Sequence, residues 1–307
     1  MINSELQPFL DRWQQEWSTL KANATAADRR AHFEVVAANM ALPLPEDVTA
    51  DAVHHVETPA GPVRVRVYRH VAGGVQPCLI YMHGGGWTQG SPETHGDITA
   101  RFAAWGRQTV ISVDYALGPE RQVPAASDQV AAVVRWAYAE ASALGIDPAR
   151  IAVGGDSAGG NLAAIAALDV RGEIPLIAQV LIYPACDYDH SRPSYRENPD
   201  GPIIKPGAEA NRADCADRSL LTSPRVAPLL ADSHAGLPPA YVAVAEHDPI
   251  RDSGVAYAEA LEAAGVPVTL DRGPGLIHGY LRAMDYCTDS MDSLKRMAAW
   301  LAERNAA

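Results

Sequence analysis

The chain is poor in cysteine, short of positive charge and without a long apolar run. Its four cysteines, Cys78, Cys186, Cys215 and Cys287, are widely separated and form no C-x-x-C pair. Neither a zinc ribbon nor a thioredoxin-like redox site is therefore expected. Cys78 falls inside an apolar stretch, which suits a reduced, buried thiol. Lys and Arg total 25 against 37 for Asp and Glu, a net charge of −12. That balance does not fit a surface that tracks phosphates, and no nucleic-acid partner is assigned. The most apolar stretch, residues 174–186, is interrupted by Pro175, Gln179 and Pro184. It falls far short of the roughly 20 apolar residues that span a bilayer, so no membrane insertion is expected. The amino terminus, MINSELQPFLDRW, has neither the basic start nor the apolar stretch of a signal peptide, and a cytoplasmic location is expected. H-E-x-x-H is absent and no metal site is assigned.

What is present is the composition of a globular protein, with 48% hydrophobic and 20% charged residues. Leu6, Leu10, Trp13, Trp17 and Leu20 alternate spacings of four and three, the stripe of one helical face. Phe33, Val36 and Met40 mark a second helix, ended by Pro43 and Pro45. Such stripes serve equally as core packing or as a cover over a pocket. From Val53 the period changes to two, and Val63, Val65 and Val67 alternate with Arg64 and Arg66. Short apolar runs follow at 78–82, 110–113, 151–153, 178–183 and 241–245, as in strands buried on both faces. Helical patterns such as 127–143 and 158–168 lie between them. Alternating strand and helix predict an α/β fold with a mostly parallel sheet. Residues 1–45 are taken as helices contributing to a cap and 46–307 as the catalytic domain. The polar, Pro- and Gly-rich stretch 187–224 is taken as a cap insertion within that domain.

The chemistry centres on Gly155-Asp156-Ser157-Ala158-Gly159, a G-x-S-x-G between an apolar strand and a helical run. A turn that tight holds a serine in strained backbone angles at the end of the sheet, and the flanking glycines let backbone approach without a Cβ. The helix amino terminus adds free N–H groups beside a developing oxyanion. His83-Gly-Gly-Gly-Trp87, directly after an apolar run, offers further bare N–H groups. A phosphate loop is disfavoured because no G-x-G-x-x-G or G-K-[ST] follows. Ser157 needs a base. His278 lies in a loop past the strand-like 266–270 and His247 follows the strand 241–245, so both compete. His83 is read as fixing its own loop. Asp248, adjacent to His247, is better placed to orient a histidine from elsewhere. Asp156, Asp252 and Asp271 compete for the same role. Ser157, Asp248 and His278 follow the Ser–Asp–His chain order of α/β-hydrolases.

With these motifs in order, together with 113–120 (V-D-Y-A-L-G-P-E), Gly160-Asn161, 183–187 (Y-P-A-C-D) and 248–252 (D-P-I-R-D), the chain resembles the hormone-sensitive-lipase family of α/β-hydrolases, in its bacterial esterase branch. The resemblance implies an eight-stranded sheet with a helical cap and a triad of Ser157, Asp248 and His278. It also implies an oxyanion hole from the N–H groups of Gly84, Gly85 and Ala158. Trp87 and Asp156 are expected to line the substrate pocket. Three departures stand out: Ala116 replaces the family's arginine, Gly118 its alanine and Ser253 its glutamate. The 207–217 stretch is alanine-rich where relatives place bulky aromatics, which predicts a roomy acyl pocket. The expected protein is a serine carboxylesterase acting on short- to medium-chain acyl esters, with a small-molecule ester as partner and no cofactor. An amidase, lactonase or deacetylase would use the same triad, and a non-catalytic ligand-binding homologue would lack part of it. A homodimer is compatible with an exposed edge strand, and nothing in the sequence requires it.

Overall fold

A computed structural model of the chain describes residues 1–205 and 212–306, with Asp51 described by its backbone alone. Two helices come first: α1 (Gln7–Ser18) and α2 (Ala26–Met40). Thr25 and Asp28 start α2 as a reciprocal capping box, each side chain accepting the other's backbone N–H. Eight strands then form one sheet in the order β1-β2-β4-β3-β5-β6-β7-β8. They are β1 (Val48–Val56), β2 (Val63–His70), β3 (Gln76–Met82), β4 (Thr109–Asp114), β5 (Ile146–Asp156), β6 (Ala178–Ile182), β7 (Ala240–Ala243) and β8 (Val268–Asp271). The pairs β1–β2 and β2–β4 are antiparallel and every other pair is parallel.

Burial explains the sequence patterns. Every residue of β3 and β6 is buried, because helices cover both faces of the centre of the sheet. β2 alternates buried valine with half-exposed arginine, because only one face there is covered. The helices α4 (Ala125–Ala139), α6 (Ala158–Asp169) and α8 (Arg251–Ala263) pack on one face, where Ile80, Ile111, Val153 and Leu181 join one apolar cluster. On the other face α3 (Gly96–Gly106) and α9 (Thr288–Asn305) pack together over Leu79, Tyr81, Val110 and Val180. Each such aliphatic side chain contributes about 1.5–3 kcal/mol by leaving water. The helical stretch expected over 127–143 is two helices, with Glu140 between α4 and the short α5 (Ala141–Leu144). The stretch 187–224 lies between β6 and β7 and contains the short helix α7 (Pro193–Glu197). No described helix is long and apolar enough to cross a membrane.

The topology gathers the candidate residues. β3 and β5 are neighbours, and so are β7 and β8, with β6 between the pairs. The loops at 83–90, 157, 244–250 and 272–279 all leave the carboxyl ends of parallel strands, the edge where open α/β sheets place their ligands.

Candidate active site

Ser157 sits between β5 and α6 with φ +55° and ψ −117°, outside the regions an L-residue ordinarily occupies. Such a residue costs about 1–3 kcal/mol and persists only where its surroundings hold it. Here its own N–H is tied to the Ile182 carbonyl of β6 at 2.8 Å. The flanking glycines are required by contact. A Cβ on Gly155 would lie 2.4 Å from the Met82 carbonyl oxygen, and one on Gly159 would lie 2.0 Å from the same atom. The turn is thereby pressed against the end of β3, and the hydroxyl of Ser157 is held out from the sheet.

His278 reaches that hydroxyl. Its Nε2 lies 2.9 Å from Ser157 Oγ, and its Nδ1 lies 2.7 Å from Asp248 Oδ2. His278 is nearly buried and Asp248 wholly so. The other oxygen of Asp248 accepts the Ile250 N–H at 2.9 Å, which fixes the carboxylate plane. The remaining candidates are engaged elsewhere. His247 has its Nε2 3.7 Å from Glu246, while its backbone bridges to Ile277, so its loop helps seat His278. Asp252 pairs with Arg251 at 2.8 Å, and Asp271 with Arg296 at 2.8 Å. His83 holds its own loop, with Nδ1 2.9 Å from the Gly84 carbonyl and its ring stacked on Tyr115 at 4.3 Å. Burial pushes its pKa down to about 4, so it stays neutral.

Two expectations about the pocket are corrected. The N–H of Gly84 is not available to an oxyanion, because it is donated to Asp156 Oδ1 at 3.0 Å, with His95 Nε2 at 3.2 Å. The N–H groups of Gly85, Gly86 and Ala158 have no acceptor among the described residues. Trp87 does not line the cavity. Its ring is 2% exposed and joins the core, and the Arg212 guanidinium stacks on it at 3.7 Å. Arg212 is itself buried and paired with Asp214 Oδ2 at 2.5 Å. The segment carrying that pair lies so close to Gly118 that a Cβ there would meet the Asp214 backbone at 2.5 Å, which accounts for glycine at this departure from the family motif. At the third departure Ser253 Oγ accepts the N–H groups of Cys186 and Asp187, both at 2.9 Å.

Asp156 lines the cavity and also braces the glycine loop. It accepts the Tyr81 hydroxyl at 2.8 Å and lies 3.4 Å from His95 Nε2. Burial pushes its carboxyl up. His95, Arg282 and the Tyr81 hydrogen bond outweigh that and hold it well below the usual carboxylate range.

The cavity above Ser157 has a volume of about 860 Å³. Trp13, Trp17 and Phe33 of the first two helices form one wall, and Ile203 and Ile204 from the 187–224 stretch form part of another. Tyr183 packs its ring 4.9 Å from that of His278. Of the alanine-rich 207–217 stretch from which a roomy acyl pocket was argued, residues 207–211 lie outside the described residues, and in the remainder Arg212 and Asp214 are buried against each other. Sequence reasoning missed His95 and Arg282. Both line the cavity, yet neither stands in a motif, and His95 reads as an ordinary residue before a helix. Among the described residues no group of three or more metal-ligating side chains is assembled.

A serine, an imidazole and a buried carboxylate thus stand in series at the carboxyl edge of this sheet, beside backbone N–H groups with no acceptor among the described residues, the arrangement characteristic of α/β-hydrolase folds. The comparisons with known proteins agree with that class. The family model described as the alpha/beta hydrolase fold matches residues 79–282. Carboxylesterase NlhH of Mycobacterium tuberculosis is 45% identical over 214 residues, which span 67% of this chain and 66% of that protein, just under two thirds of its length. Esterase LipI of the same organism is 42% identical over 74% of this chain and 73% of its own. A solved hyperthermophilic esterase from the archaeon Pyrobaculum calidifontis superposes with a TM-score of 0.90 at 33% identity, covering 100% of this chain and 99% of that one. The chain belongs to the α/β-hydrolase fold family, in its hormone-sensitive-lipase-like branch.

Proposed function

We propose that the protein is a serine carboxylesterase acting on short- to medium-chain acyl esters, with Ser157 as nucleophile, His278 as base and Asp248 as the group that orients it. The observation that carries this reading is the unbroken contact from Ser157 Oγ through His278 to Asp248, at 2.9 and 2.7 Å. His278 Nε2 takes the hydroxyl proton as Oγ attacks the ester carbonyl. The charge that builds on the carbonyl oxygen is met by backbone N–H groups. Gly85 and Ala158 serve here, and Gly86, which also lines the cavity, takes the place first assigned to Gly84. The tetrahedral adduct expels the alcohol, which leaves with the proton from His278. Water then gives its proton to His278, attacks the acyl-enzyme and releases the acid, and the proton returns to Ser157. No cofactor enters the scheme.

The same proposal assigns residues 1–45 and 187–224 to a cap over a catalytic domain of 46–307. Its support is the cavity wall that both segments supply. A cytoplasmic location belongs to the reading too, supported by four cysteines that are all free and buried. Every group of the site comes from one chain, so the scheme holds for a monomer or a homodimer. The test is Ser157→Ala on a short p-nitrophenyl ester. The expected result is a loss of kcat by about four to six powers of ten, with unaltered melting and no labelling by a fluorophosphonate. Turnover near that of the parent would refute the assignment.

A further inference from the structure

The charge around the cavity differs from that of the molecule. The chain carries a net charge of −12, yet two arginines line the ester cavity, Arg29 from α2 and Arg282 beyond His278. Neither forms an ion pair with a carboxylate among the described residues, whereas Arg12, Arg30, Arg64, Arg212 and Arg251 all do. Arg29 is exposed and its side chain has no hydrogen-bond partner among the described residues. Arg282 is half-buried, with its guanidinium against the face of Phe33 at 5.2 Å. It donates to the Thr94 carbonyl and meets His95 Nε2 at 2.6 Å.

The two carboxylates that share a cavity with Arg282 have other hydrogen-bond partners, although the charge of Asp156 also acts on Arg282. Asp156 accepts from Tyr81 and Gly84, and Asp97 accepts the N–H groups of Leu42 and Ile98 at 3.2 and 2.9 Å. Burial and the neighbouring Arg282 disfavour the charged form of His95. A half-buried guanidinium with N–H groups to spare is matched by a carboxylate, which it can bind through two parallel hydrogen bonds. Trp13, Trp17 and Phe33 line the same part of the cavity and suit a short methylene spacer.

We propose that Arg282 and Arg29 form an anion subsite of this cavity, and that the preferred substrates are esters carrying a carboxylate a few methylenes away from the scissile bond. The inference rests on the carboxylesterase reading and narrows its substrate class.

Two arms distinguish which half of the ester carries the anion. Monoethyl adipate is compared with ethyl hexanoate for the acyl half, and 4-acetoxybutanoate with butyl acetate for the alcohol half. The expected result in one arm is a kcat/KM for the anion about tenfold or more above its neutral partner at low ionic strength. Arg282→Gln and Arg29→Gln should each lower that ratio several-fold, Arg29→Glu more, and Arg282→Lys should keep part of it. A ratio at or below one in both arms, or a ratio that these substitutions leave unmoved, overturns the subsite. If wild-type protein hydrolyses none of the four esters, the esterase reading fails instead. Binding then decides the subsite without turnover, through the fluorescence of Trp13 and Trp17. Adipate should saturate the signal, 1,6-hexanediol should not, and Arg282→Gln should weaken the adipate response at least several-fold. An adipate titration with no saturation overturns the inference.

Discussion

Replacing Asp248 with asparagine changes one atom in the centre of the site and leaves its packing volume intact. The side-chain oxygen that accepts the Ile250 N–H at 2.9 Å survives as the amide oxygen. The oxygen 2.7 Å from His278 Nδ1 becomes an NH2 group, a donor where an acceptor stood. The imidazole must then turn its unprotonated nitrogen toward residue 248 and place its N–H on Nε2, facing Ser157. In that tautomer Nε2 cannot accept the hydroxyl proton. The stabilisation that a buried anion gives to the imidazolium is lost as well, because Asp248 is fully enclosed and no water can substitute. The expected fall in kcat is about four powers of ten, equivalent to about 5 kcal/mol of transition-state stabilisation. Melting should change little, since no buried donor loses its partner. The assay is initial-rate hydrolysis of p-nitrophenyl butyrate from pH 6 to 9, with thermal unfolding on the same samples. A loss smaller than tenfold with unchanged melting would refute the role of Asp248. A large loss in Asp252→Asn or Asp271→Asn in its place would move that role to the other carboxylate.

His278→Gln should abolish measurable turnover, whereas His247→Gln should stay within about tenfold of the parent, because His247 contributes only its backbone and a contact with Glu246 to the site; the reverse pattern would exchange the two. Gly85→Ala should reduce kcat by about 10²-fold or more, the scale of losing one oxyanion donor, since a Cβ there lies 2.0 Å from the Gln89 carbonyl oxygen. Gly86 has φ +61° with open space around its Cβ, so Gly86→Ala should cost only about 1–2 kcal/mol of stability, read from denaturant midpoints. Stability should also fall on acidification. Burial holds the His83 pKa near 4 in the folded chain, below the ordinary imidazole value of 6.5. The unfolded chain therefore binds the proton first, and stability present above about pH 6.5 is lost as pH falls toward about 4, by on the order of 3 kcal/mol. His83→Gln should flatten the melting curve against pH in that window, and an unchanged slope would exclude His83 as its source.

Periodicity and local turn chemistry were readable from the residues alone. The nearly all-apolar runs that became β3 and β6 fit strands covered on both faces, and the alternation of valine and arginine in β2 fits a strand covered on one. The Gly155 to Gly159 turn was legible because its contacts are short-range: strand, strained serine and helix are consecutive in the chain. What lies between distant loops was not. Sequence preferred His278 to His247 only on chain order and on the divergence of adjacent loop side chains, and it could not supply the 2.9 Å approach of His278 to Ser157, which depends on side-chain direction across the β7 and β8 loops. It placed Gly84 among the oxyanion donors, but the Asp156 carboxylate from the neighbouring strand takes that N–H. It put Trp87 in the pocket, whereas Arg212, 125 positions further along, draws the ring into the core. His95 and Arg282 had no motif to announce them, because their meeting over the cavity depends on how α3 and the loop after β8 pack against each other. Secondary structure and a local turn follow from neighbours in the chain. The direction of a loop side chain, and the partner that claims a free N–H, follow from residues brought together only when the sheet and its helices close.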